Sequence, residues 1–292
     1  MPLFSPLIAL LPAAAPAICP PEGTTQQSLH ALRDDASSLD ETGQRARLAL
    51  ALTACMDASD PVLRDDLGFG LLSGWMRAGA LDTHTLRTLR DAGFARLERE
   101  DGEGFGKPFA ALLLAEVSRT DRIAAWMTQA EREAMVERAC SYLRDIDDYR
   151  GFDAAHGWRH GVAHGSDWLM QLALNPALDK AQADLMLASV ADQVVPASGH
   201  AYVEGEYERL ARPVLHIAGR RLHARDEWRA WFSGISERLG DASIAWRDSG
   251  WIARRHNLHG FLASLNAQLS ANPHPAYADL QTEAVEAMKA LP

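Results

Sequence analysis

An all-α fold, built from stacked helical hairpins as an α-α superhelix (solenoid) or a closed helical array, is what the sequence predicts, on three observations. Ala and Leu dominate while Val and Ile are scarce, a bias toward helix over strand. Apolar residues recur at spacings of three and four, as in Leu48, Leu52 and Cys55, or Leu86, Leu89, Phe94 and Leu97. No run alternates with period two, the mark of a half-buried strand.

The elements follow in order from these periodicities and their start signals. Helices are expected near 25–38, 42–57, 61–78, 83–100, 108–118, 128–147, 158–174, 179–194, 205–223, 226–239, 252–270 and 276–290. Asp60-Pro61 puts an N-cap before a proline at the first helical position. Asp82 precedes the helix at 83, Thr128 to Glu131 reads as a capping box, and Asp226-Glu227 opens a further helix. Short connections between these helices favour hairpins. No sequence repeat of fixed period accompanies them. The longest breaks, at 101–107 and 196–205, are too short for domain linkers, so residues 18–292 form one domain. Gly102, Gly104 and Gly106 follow no expected strand, which argues against a phosphate-cradling loop.

Composition sets the outer bounds. The chain has 292 residues, 29 Lys+Arg against 39 Asp+Glu, and a net charge of −10. An acidic chain without a basic tract is a poor nucleic-acid binder. No apolar run reaches the roughly 20 residues of a membrane-spanning helix. Residues 1–17 read as a signal peptide: an apolar stretch over Leu3–Leu11, then small residues at Ala15 and Ala17, although no Lys or Arg comes before Arg33. Cleavage would make the protein periplasmic or secreted; without it the protein is cytoplasmic. Cys19, Cys55 and Cys140 form no Cys-x-x-Cys pair, and an exported chain has room for one disulfide with one thiol left over.

The chemistry-bearing segment runs from Asp147 to Trp168 and holds His156, His160 and His164. At about 100° per residue, His164 lies roughly 40° to one side of His160 on a helix and Asp167 roughly 20° to the other. Val162, Leu169, Leu172 and Ala173 fall on the opposite face, and Gly161 and Gly165 beside that face invite a close helix neighbour. Histidines at i and i+4 with a carboxylate one turn on are able to hold a divalent metal or to do acid–base chemistry. The segment lacks the glutamate of the His-Glu-x-x-His zinc-protease helix. Trp158 and Trp168 flank the stripe, either walling a pocket or filling gaps between helices. Downstream, Glu204, Glu206 and Glu208 gather at the start of a helix. Their default role is to complement its dipole, and the alternative is that one serves as ligand or general base. Arg254, Arg255, His256 and Asn257 read as a solvated cap or as an anion clamp.

These residues resemble a known family. Asp148-Tyr149-Arg150-Gly151-Phe152, followed by Gly157-Trp158-x-His160-x-x-Ala163-His164-x-x-Asp167, looks like the central signature of the bacterial domain of unknown function DUF2785. Glu208-Arg209-Leu210-Ala211 and Asn257 with Phe261-Leu262-x-Ser264-Leu265 are similar as well, and the likeness extends from about residue 60 onward. Gly161 stands where that family usually has Ala, and Ala263 where Arg is expected. The resemblance implies an all-α protein and no particular activity. It also implies that His160, His164, Asp167, Glu208, Arg209 and Asn257 form one polar cluster.

Two functions are therefore expected to compete. One is an enzyme, most simply a metal-dependent hydrolase. Its catalytic candidates are His160, His164, Glu206, Glu208 and Arg209, its metal candidates His160, His164 and Asp167, and its pocket residues Trp158, Arg150 and Asn257. The other is a HEAT-like binding scaffold without chemistry, offering a concave surface to a protein or peptide.

Overall fold

The computed structural model describes residues 18–34, 39 and 42–292, so the leader expected over 1–17 lies outside the described residues. Twelve α-helices appear among them: α1 (Gln26–Asp34), α2 (Thr42–Leu52), α3 (Gly70–Arg77), α4 (Thr83–Leu97), α5 (Gly106–Ile123), α6 (Gln129–Arg144), α7 (Gly161–Ala173), α8 (Lys180–Val194), α9 (Glu206–Gly219), α10 (Arg225–Glu237), α11 (Ser249–Ala271) and α12 (Ala278–Lys289). The all-α class is as expected. None of these helices is long and apolar enough to cross a membrane.

The helices stack in two layers. α5, α7, α9 and α11 lie side by side, each against the next, while α6, α8 and α10 follow one another on one side and α12 packs on both α10 and α11. α7 is the central element. It touches α5, α6 and α9 and is buried nearly all round, from Val162, Leu169 and Leu172 to the indole of Trp168, whose N–H donates to Ser118 Oγ at 3.1 Å. The expected close neighbour is α6: a Cβ on Gly165 would come within 3.0 Å of the Tyr142 ring and 3.1 Å of Leu143.

The start signals act as read. Asp60 accepts from Val62 N at 2.9 Å, Asp82 from Thr85 N at 2.7 Å, and Thr128 and Glu131 close their reciprocal box. In α10, Glu227 reaches back to Ala224 N at 2.7 Å. The glycine-rich break at 101–107 also has a physical role. The Asp101 carboxylate accepts from Gly106 N at 3.2 Å and Lys107 N at 2.7 Å, so a side chain already fills the anion position at the start of α5.

Three elements depart from expectation. The helix expected over 61–78 begins as a π-helix (Val62–Phe69). That winding aims Arg64 inward, where its guanidinium, fully buried, donates to Ala58 O at 2.9 Å and His156 O at 2.7 Å. The helix expected over 42–57 ends in a 3-10 turn (Thr53–Asp57) that carries Cys55, and Cys55 is disulfide-bonded to Cys19. The helix expected over 158–174 begins only at Gly161, because a two-stranded hairpin, β1 (Phe152–Asp153) paired with β2 (Gly157–Trp158), precedes it. Gly157 turns that hairpin with φ 77°. His156 therefore lies off the helix, its Nδ1 on Asp153 at 2.9 Å.

Candidate functional site

Two polar regions share one wall of the molecule, the start of α7. The first is the signature cluster. His160 is the residue before the helix and has a left-handed backbone (φ 60°, ψ 37°), a conformation few non-glycine residues adopt. Its ring stacks on Trp158 with centroids 4.0 Å apart, and its Nδ1 is buried without a hydrogen-bond partner. His164 sits one turn on, with ring centroids 5.9 Å apart and the edge of one ring toward the other. Its Nδ1–H donates to Pro108 O at 3.1 Å, which fixes the tautomer and leaves Nε2 with the lone pair. Phe109 closes on the His164 ring at 5.2 Å.

Burial, with Arg209 nearby, holds both imidazoles in their neutral forms, His160 at about 4 and His164 at about 3. The Asp167 carboxylate takes both prongs of Arg209, with Arg212 at 3.8 Å. Burial nonetheless raises the Asp167 carboxyl against the opposing pull of Arg209.

The metal candidates His160, His164 and Asp167 do not converge on one point. Among the described residues no group of three or more His, Cys, Asp and Glu side chains is arranged to hold an ion. The reasons are local. His160 leaves the helical path, so the i, i+4 spacing no longer sets the ring geometry, and Asp167 is turned to Arg209.

The remaining candidates divide. Glu206 is buried and accepts from Glu204 N at 3.0 Å, in the turn that leads into α9. Glu208 is exposed and hydrogen-bonds to neither imidazole. Asn257 is fully buried, accepting from Tyr202 N at 2.8 Å and donating to His200 O at 2.7 Å. His256 donates to Tyr202 O at 3.2 Å, and Arg254 and Arg255 donate to the carbonyls of Leu239 and Pro292. Of the expected anion clamp, His256 and Asn257 clasp the 196–205 loop, while the two arginines bind carbonyls elsewhere. Of the six residues the resemblance grouped, the structure brings together His160, His164, Asp167 and Arg209.

Glu204, grouped by the sequence with Glu206 and Glu208 at the helix start, instead reaches the hairpin, where its carboxylate oxygens accept from Phe152 N at 3.0 and 2.9 Å. A readable signal was Gly151: a Cβ there would fall 1.1 Å from Glu204 Oε2. Sequence reasoning missed Tyr149, stacked on His200 at 4.7 Å, which with Tyr202 joins the 147–160 and 196–205 segments.

The second region is a cleft of about 940 Å³ between the end of α4, the 98–107 loop and the C-terminal half of α6. Its floor is Leu97, Pro108, Tyr142, Ile146 and Gly161. Tyr142 donates its hydroxyl to Gly161 O at 3.2 Å, and Pro108 is the residue that holds His164, so this floor is the back of the signature helix. The walls carry seven carboxylates, Glu98, Glu100, Asp101, Glu137, Asp145, Asp147 and Asp148, against Lys107 and Arg138. Arg96 engages Asp101, Arg138 engages Glu98 and Arg150 engages Asp148. Arg150 thus belongs to the cleft edge and not to the histidine pocket. Glu100, Glu137, Asp145 and Asp147 make no side-chain hydrogen bond or ion pair with the described residues, and Lys107 is likewise in no ion pair, which leaves the cleft with an excess of negative charge around an apolar floor. Sequence reading missed this cleft, because its acids come from two separated stretches, 98–101 and 137–148.

A family model described as a protein of unknown function (DUF2785) matches residues 94–266. Neither the curated proteins nor the solved structures contain a match to the chain. Both regions fall within the matched residues.

Proposed function

The chain belongs to the DUF2785 family of proteins of unknown function, and from that premise we propose that it is a binding protein whose acidic cleft takes a basic segment of a protein or peptide partner. One observation carries this reading: a cleft of about 940 Å³, at the upper end of the size of ligand sites, in which four carboxylates lack partners around an apolar floor. Exposed ion pairs contribute about 0.2–1 kcal/mol each, so four new pairs give useful affinity only when they act together over a desolvated floor. The two-layer helical stack supplies a rigid frame for such a groove.

The test is titration with a fluorescently labelled lysine-rich peptide. Wild-type protein should bind it, and a variant carrying Glu100→Gln, Glu137→Gln, Asp145→Asn and Asp147→Asn should bind at least tenfold more weakly. Equal affinity for the two proteins would remove the cleft from the account.

A second reading, acid–base chemistry of a hydrolytic kind on a small substrate, is favoured by the partnerless Nδ1 of His160 beside the Arg209–Asp167 pair. In this reading neutral His160 accepts the proton, and His164, anchored on Pro108 O, positions it. A panel of small esters, amides and phosphoesters turned over by wild type and not by His160→Gln would establish it. Identical traces from the two proteins would end it.

An exported location is supported by the Cys19–Cys55 pair, since such bonds persist outside a reducing cytosol. Recovery of an uncleaved protein only in the cytosolic fraction would contradict it.

A further inference from the structure

α7 turns one polar stripe, His164, Asp167 and Gln171, away from the Gly161 and Gly165 side that packs on α6. Its neighbours α5 and α9 reach that stripe from either side, and they reach it with arginines. From α5, Arg122 Nε donates to Gln171 at 3.1 Å; from α9, Arg209 takes the Asp167 carboxylate and Arg212 stands 3.8 Å from it. Asp167 and Gln171 are one turn apart, about 6 Å along the axis, so the two groups of arginines meet over α7. Arg119, one turn before Arg122, adds to them: burial, and after it the nearby charge of Arg119, lowers the Arg122 guanidinium below its ordinary value.

Little negative charge answers these arginines. Asp167 is shared between Arg209 and Arg212, Glu116 is held by Arg77, and Glu204 is turned to Phe152 N. Arg119 makes no hydrogen bond or ion pair with the described residues, and Arg122 hydrogen-bonds only the neutral Gln171 amide. A guanidinium stays charged and its planar fork fits a phosphate or a carboxylate. A separate observation on the same stripe points to a ligand. His164 is 7% exposed, and its Nε2 lone pair has no partner once Nδ1–H is spent on Pro108 O. A buried acceptor without a donor is costly, and an O–H group of a bound molecule would satisfy it. We propose that this face of α5, α7 and α9 binds a small hydroxylated anion, with its phosphate or carboxylate on Arg119, Arg122 and Arg212 and one hydroxyl donating to His164 Nε2. The proposal goes beyond both readings above, since it needs neither the acidic cleft nor a proton transfer. In a chain of net charge −10 such a site acts locally, because the molecule as a whole repels anions.

Calorimetric titration of the full chain with glycerol phosphate and with gluconate tests this, against glycerol as the uncharged reference and sulfate and acetate as anions without a hydroxyl. Wild-type protein should bind one of the two hydroxylated anions at least tenfold more tightly than glycerol, and which of them binds names the charged group as phosphate or carboxylate. Arg119→Gln combined with Arg212→Gln should lose that tenfold at an unchanged melting temperature, because Arg209 still holds Asp167. Binding of neither anion would overturn the proposal, and so would equal binding by wild type and the double variant. Sulfate or acetate bound as tightly as the hydroxylated anions would overturn the contact with His164.

Discussion

His164 joins the two regions of the molecule: its Nδ1–H is spent on Pro108 O, a floor residue of the cleft, and its ring faces His160. Burial depresses its folded-state pKa to about 3, below the ordinary 6.5. The unfolded chain therefore binds the extra proton first, and stability is lost as the pH falls below about 6.5 toward the folded value. Between pH 6.5 and 5 this one group costs about 2 kcal/mol, at 1.36 kcal/mol per unit. Chemical denaturation should give wild type a slope steeper by that amount than His164→Asn, which keeps the contribution of His160 and, through its amide, the bond to Pro108 O without titrating at position 164. Parallel slopes would mean that the ring is not buried as described. At this scale the sequence was informative about which residues matter and silent about how they sit. The spacing of His160, His164 and Asp167 was legible from helical geometry. The left-handed turn at His160 was not, because the hairpin that imposes it depends on Gly157 and on contacts with Arg64 from about 90 positions earlier in the chain.

The elements most distant from the sequence expectation are those fixed by such long-range contacts. The π-helix places Arg64 between the 3-10 turn and the hairpin, with its guanidinium 4.0 Å from the centre of the Phe105 ring and Arg159 at 4.2 Å from the same ring. Periodicity alone could not show this, since a charged residue at position 64 reads as solvent-facing. Arg64→Met would leave the Ala58 and His156 carbonyls without their donor. With about 1–3 kcal/mol for each buried polar group so stranded, the loss should be about 3 kcal/mol, measured as a shift in urea midpoint. An unchanged midpoint would show that the hairpin does not lean on Arg64. The disulfide acts on the same region: Cys55 packs against Gly68 of the π-helix, where a Cβ would meet its Cβ at 2.9 Å. Closing a loop with a sequence separation of 36 stabilises by about 3–4 kcal/mol on the chain-entropy account. Cys19→Ser with Cys55→Ala, or mild reduction, should therefore lower the melting temperature by several degrees. A melting temperature unmoved by reductant would argue that the pair contributes nothing to the folded state. By contrast, the helix starts at Asp82, Thr128 and Glu227 are local events, and they were readable because each cap is satisfied within four residues of itself.

Across the whole molecule the acidic balance acquires a location. A net charge of −10 alone says only that nucleic acid is an unfavourable partner. The fold gathers part of that charge into one cleft, from two stretches, 98–101 and 137–148, that are separated in the chain, which is why composition was legible and the groove was not. Its field has a definite range, because the screening length is about 10 Å at 0.1 M salt and about 3 Å at 1 M. A basic peptide in the cleft should lose at least tenfold in affinity between 50 and 500 mM salt, whereas the four-amide variant should change little. The overall negative charge would also attract a basic peptide, so a control is needed: neutralising Asp66, Glu237 and Asp279, exposed acids outside the cleft, lowers the net charge almost as much. If that control variant keeps the wild-type affinity and salt slope, the binding belongs to the cleft. If it loses both to the same degree as the four-amide variant, the attraction is a property of the whole surface, and the helical stack has no dedicated groove.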